Sequence, residues 1–181
     1  MERILPLIAA QARPRLIGEP VTAFADEVTT ALAAQPHSKL VVFPELHLFG
    51  DSEPDQQRTE VLQDSAEPLD GPRAKELRQL AADLGIWLVP GSVCECGPEG
   101  QLFNTQLVLS PDGELAGYYR KVFPWRPFEP YDPGDRFTTV DLSGIGKVGL
   151  NICYDAWFPE VSRQLAWMGA EVILNVVKTT T

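Results

Sequence analysis

An α/β fold built on a mixed sheet is the architecture this sequence predicts. Three observations carry the prediction. A four-residue apolar repeat early in the chain runs into a β-branched run, strand-like segments in the middle are separated by turn residues, and a helix face near the end lies between two apolar runs. Strand–helix–strand units pair strands in parallel and short turns pair them antiparallel, so parallel-type ends flank an antiparallel middle.

Residues 4–11 are apolar and read as a first buried strand. Pro20 opens a stretch in which Phe24, Val28 and Leu32 recur every four residues, which predicts an amphipathic helix. Residues 39–43 are a short β-branched run, hence a strand, and Pro44 ends it. Residues 51–68 are polar, hold two prolines and show no period, which predicts a surface loop. Asp70 is placed to cap a helix over 72–84, with Leu77, Leu80, Ala81 and Leu84 inward and Gly85 ending it.

Strands are predicted over 86–96, 102–110 and 114–122, because Gly-Pro-Glu-Gly at 97–100 and Pro-Asp-Gly at 111–113 supply the turns of a meander. A proline-dense loop covers 124–133. Strands near 137–142 and 147–152 lead to Cys153. Phe158, Val161, Leu165 and Met168 then mark a helix face before a last strand over 171–177. The chain shows no internal repeat, and its 181 residues predict a single domain, 1–181.

Lys plus Arg total 15 against 25 Asp plus Glu, a formal net charge of -10, which repels phosphate backbones and anionic lipid and so argues against nucleic-acid and membrane partners. The apolar runs are too short to span a bilayer, and no basic start leads into one. Three cysteines, an odd number, do not make a disulfide framework, so a reducing, cytoplasmic location is expected.

Cys153 follows an apolar strand and precedes a helix, a bend that sets a thiol at a sheet edge near backbone N–H groups able to hold an oxyanion. Position alone favours a buried structural thiol. Glu45 sits at a strand end, where α/β sheets place ligands, although a solvated loop glutamate fits as well. Lys121 ends a strand and precedes Val122 and Phe123, so its ammonium is partly enclosed or guards a sheet edge. Cys94 and Cys96 share a strand face and read as packing, since two thiols do not complete a zinc site. A His47–Cys153 pair is the competing nucleophile arrangement, against the commoner structural histidine.

Taken together these residues sit in recognisable blocks. Val-Val-Phe-Pro-Glu-Leu at 41–46, Tyr-Arg-Lys at 119–121 and Cys-Tyr-Asp-Ala-Trp-Phe-Pro-Glu at 153–160 resemble, in order, the three signature blocks of the nitrilase-like (carbon–nitrogen hydrolase) superfamily. Gly91-Ser92, Phe103-Asn104-Thr105, Pro111-Asp112-Gly113, Pro133-Gly134-Asp135, Arg163 and Gly169-Ala170 are lesser marks of the same pattern, and the resemblance spans about 11–177.

The resemblance implies a four-layer α-β-β-α sandwich in which Glu45 is the base, Lys121 stabilises the tetrahedral intermediate and Cys153 is the nucleophile. The run from Lys121 to Glu129 looks like the lysine-to-glutamate loop of the aliphatic amidase and formamidase branch, so Glu129 takes on the role of placing substrate beside the lysine. Cys-Tyr-Asp also looks like the amidase side, whereas nitrilases more often carry Cys-Trp-Glu. The implied reaction is hydrolysis of a small amide through a thioester, with the Tyr154 N–H as a further oxyanion donor. A carbamoyl-amine hydrolase, a nitrilase and a non-catalytic dimerisation or binding remnant are the alternatives. No metal or organic cofactor is implied, since a protonated lysine supplies the charge a metal would. Family members form homodimers or larger homo-oligomers and continue past this length, which implies a chain truncated at its C-terminal side with an exposed apolar sheet edge.

Overall fold

The computed structural model describes residues 4–50 and 55–178. They form two sheets. The first holds β1 (Leu7–Ala9), β2 (Leu40–Val42), β3 (Trp87–Val89), β4 (Ser92–Cys96), β5 (Leu102–Leu109) and β6 (Leu115–Arg120). β1, β2 and β3 run parallel, while β5 pairs antiparallel with β3 and β4 on one edge and with β6 on the other. The second sheet holds β7 (Thr139–Leu142), β8 (Gly146–Ile152) and β9 (Val172–Val176), the first pair antiparallel and the second parallel. Parallel outer parts around an antiparallel meander are the arrangement the turn chemistry predicts.

Helices α1 (Val21–Ala34) and α3 (Pro72–Leu84) cover one face of the first sheet, the second sheet covers the other, and α4 (Pro159–Trp167) covers the far face of the second. Helix, sheet, sheet and helix therefore stack in four layers. Strand alternation fills both cores: Val41, Phe43 and Leu88 point to Phe24, Val28 and Leu77, whereas Leu40, Trp87 and Val89 point to Val148, Leu150 and Ile152. Burial on both faces is why these strands read as continuous apolar runs. Each large side chain so buried stabilises the fold by about 1.5–3 kcal/mol.

Four local expectations are corrected. The first strand is an edge strand of three residues rather than a buried one, with Ile4 80% and Leu7 39% exposed. Within 51–68, residues 51–54 lie outside the described residues and Asp55–Asp64 forms helix α2 instead of a loop. Among residues 58–64 Leu62 is the buried anchor, and one anchor there leaves no period to read. Asp70 does not cap α3: Gly71 is the N-cap residue without a side-chain bond, and Glu67 accepts the Arg73 N–H at 2.8 Å. The strand expected over 86–96 breaks at Pro90-Gly91. Gly91 has φ +87°, and a Cβ there would lie 1.8 Å from the Pro44 carbonyl oxygen, so only glycine lets this kink pass the residue that precedes Glu45. The helix over 72–84 and its end at Gly85, in the left-handed conformation, match the expectation.

Candidate active site

Glu45, Lys121 and Cys153 lie just past the C-terminal ends of β2, β6 and β8. The sheet sandwich brings those ends together. Lys121, fully buried, donates to Glu45 Oε1 at 3.0 Å and to Glu129 Oε1 at 2.8 Å, across 76 and 8 positions of sequence. Cys153 is half-buried against the same Glu45 carboxylate. Tyr154 follows it in the first turn of a 3-10 helix over Cys153–Trp157, where leading backbone N–H groups have no partner within the helix. Its ring stands among Trp125, Trp157 and Phe158 at the rim.

The backbone is bent to suit. Leu46 and Cys153 are the non-glycine residues with positive φ among the described residues, +51° and +46°, each beside a side chain of the cluster. Such conformations cost of order 1–3 kcal/mol and persist where surrounding bonds hold them. For Leu46 the holder is Ser92, whose Oγ accepts its N–H at 3.0 Å.

Burial raises the Cys153 thiol to about 11, with Glu45 adding to the rise and Lys121 opposing it. Cys153 is therefore a neutral thiol at physiological pH and depends on a base. Burial opposes the charge on Lys121, but the two carboxylates outweigh it and raise its pKa, so the ammonium stays protonated. The thiolate ultraviolet absorbance of the wild type minus that of Cys153→Ala should titrate at about pH 11. A thiolate at neutral pH in that difference would count against base activation.

Glu45 accepts from two further donors. Oε1 also accepts from Asn104 Nδ2 at 2.9 Å, and Oε2 accepts the Lys178 backbone N–H at 3.0 Å. Asn104 accepts the Lys121 N–H on its own carbonyl at 2.9 Å, so one residue of β5 sets both partners. The sequence patterns above do not assign it that role, although a signal exists: Asn104, Thr105 and Gln106 are consecutive polar residues in an otherwise apolar strand, and all are fully buried. Gln106 joins the sheets, donating to the Leu174 carbonyl and accepting the Asn151 N–H. Gly134 donates to the Lys121 carbonyl at 2.8 Å, and a Cβ on it would lie 2.2 Å from the Arg120 carbonyl oxygen.

Two other candidates fall elsewhere. His47 is fully buried between Phe24 and Phe43, with Nε2 3.0 Å from Glu27, so it does not pair with Cys153. Cys94 packs in the core with Sγ 3.9 Å from the Tyr131 hydroxyl, but Cys96, at the end of β4, is exposed rather than packed.

Comparison with known proteins gives the family. A family profile described as carbon–nitrogen hydrolase matches residues 2–181. A formamidase of Bradyrhizobium sp. (strain ORS 278) is 37% identical over 145 residues, covering 78% of this chain and 40% of that protein. The crystal structure of Saccharomyces cerevisiae Nit3, a member of branch 10 of the nitrilase superfamily, superposes with a TM-score of 0.83 at 28% identity, covering 98% of this chain and 65% of that one. A variant amidase from Nesterenkonia sp. AN1, whose active-site cysteine carries the acetamide moiety of fluoroacetamide, superposes with a TM-score of 0.77 at 27% identity, covering 97% and 65%. The chain thus spans 40% of that formamidase and 65% of those two structures.

Proposed function

Because the chain belongs to the carbon–nitrogen hydrolase family, on its amidase and formamidase side, we propose that it hydrolyses a small non-peptide amide to a carboxylate and ammonia through a thioester on Cys153. Residues 1–181 are read as part of one family domain. The observation that carries the reading is a buried ammonium held by two carboxylates beside a neutral thiol.

Cys153 attacks the amide carbonyl while Glu45 takes its proton. With the thiol near 11, the proton leaves as the C–S bond forms rather than beforehand. The carbonyl oxygen becomes an oxyanion held by Lys121 Nζ and the Tyr154 N–H, donors worth roughly 3–4 kcal/mol each in acyl transfer. Collapse of the intermediate expels ammonia with the proton Glu45 holds. Water then gives a proton to Glu45 as it attacks the thioester, and that proton returns to the departing thiol. The Nesterenkonia adduct, formed on a cysteine in a related fold, supports Cys153 as the nucleophile. Ammonia release from a panel of short amides, carbamoyl amines and nitriles with the full-length protein tests the reading. Amide turnover is expected, and turnover of nitriles alone would overturn it.

Glu129 places the substrate in this scheme. Its Oε1 accepts from Lys121 and its Oε2 accepts the Trp125 N–H at 2.6 Å, so both oxygens already face donors. Glu129→Gln must turn its own –NH2 against one of them. Amide turnover should fall about 10–100-fold while Cys153 still reacts with an alkylating reagent. Unchanged turnover would return Glu129 to a loop residue. Lys121 supplies the positive charge at the oxyanion, so dialysis against a chelator should leave the rate unchanged, and a loss restored by zinc would contradict this assignment.

A further inference from the structure

Asp155 is fully buried, and the hydrogen bonds its carboxylate accepts come from segments that carry the proposed reacting groups. Oδ2 accepts the Ile152 N–H at 3.1 Å, from the residue before Cys153, and the Tyr119 hydroxyl at 2.9 Å. Oδ1 accepts the Phe123 N–H at 2.8 Å, two residues after Lys121. The Tyr119 hydroxyl in turn accepts the Val122 N–H at 3.3 Å. One carboxylate and one phenol thus clip the turn that bears Cys153 to the strand end that bears Lys121, and these two segments belong to different sheets.

We propose that Asp155 is a positioning residue that sets the spacing between Cys153 and Lys121 and holds the left-handed backbone of Cys153. The assignment rests on the reading of Cys153 and Lys121 given above. Asp155 needs no contact with substrate for this role. An ionised carboxylate accepts from N–H and O–H donors on both oxygens, and Asp155 uses both. An asparagine there has one oxygen too few, because its –NH2 must face either the Phe123 N–H or the Ile152 and Tyr119 donors. Tyr119→Phe is the selective counterpart. It leaves both backbone bonds to Asp155 in place and removes the hydroxyl that donates to Oδ2 and holds the Val122 N–H, on the lysine side.

The two variants should differ in a way that a merely structural role would not produce. Asp155→Asn should lower kcat by about 100-fold, the order expected for misplacing a reacting group by about 1 Å, with KM changed little, and should slow alkylation of Cys153 by iodoacetamide. Tyr119→Phe should lower kcat while alkylation of Cys153 stays at the wild-type rate. Both are measured on the full-length protein with thermal unfolding alongside. If Asp155→Asn does not fold, Tyr119→Phe decides: wild-type kcat in that variant overturns the proposal, and so does a folded Asp155→Asn with wild-type kcat and alkylation. Retained turnover in Cys153→Ala would instead defeat the reading of Cys153 as nucleophile, which keeps the two failures distinct.

Discussion

Cys153→Ala should abolish amide turnover, by about 10⁴-fold or more, because loss of a nucleophile leaves only what binding and the oxyanion donors provide. The fold should survive. Ile152 and Asp155 stay as they are, and replacing one half-buried thiol by a methyl costs only about 1 kcal/mol. Ammonia release and thermal unfolding on one preparation check both halves. Turnover at a comparable rate would mean another nucleophile, and neither Cys94, packed in the core, nor Cys96, at the exposed end of β4, lies against Glu45 and Lys121.

Lys121→Met should damage both rate and stability, and by different amounts at different pH. Methionine fills most of the lysine volume but leaves the carboxylates of Glu45 and Glu129, now bonded to Nζ at 3.0 and 2.8 Å, without their cation. Breaking a buried pair by removing one partner costs about 3–5 kcal/mol. The rate should fall about 10²–10³-fold, the range for losing one oxyanion donor. In the wild type the two carboxylates raise the Lys121 pKa, so its stabilising charge persists through the neutral range and is lost only as pH rises past the ordinary lysine value. The variant lacks that charge at every pH, so the stability gap between variant and wild type should narrow as pH rises past the ordinary lysine value. Denaturant unfolding at several pH values checks this, and a constant gap would mean that Lys121 is not the counter-ion of both glutamates.

Elements whose signal is local are legible in the chain itself. The β-branched run before Pro44 forms β2, the helix over Pro72–Leu84 ends at Gly85, and the Gly-Pro-Glu-Gly and Pro-Asp-Gly turns separate β4, β5 and β6. Each follows from steric limits on a few residues or from burial of one face. The three signature blocks are legible too, since their residue types and order are properties of the chain. Helix α2 is not, because among residues 58–64 Leu62 is its one buried position, and neither is the break at Pro90-Gly91, whose cause is the Pro44 carbonyl at the end of another strand.

What the sequence alone determined is the set of proposed reacting side chains and the strand ends that carry them. What only the tertiary structure decided is who holds them: Asn104 on Glu45 across 59 positions, Tyr119 on Asp155 across 36, and the Lys178 backbone on Glu45 across 133. A buried carboxylate must find its donors wherever the packed sheets bring them, because leaving one unpaired costs more than any local preference can repay. Those partners are chosen by the meeting of two sheets in space, and no periodicity or turn in the chain encodes that meeting.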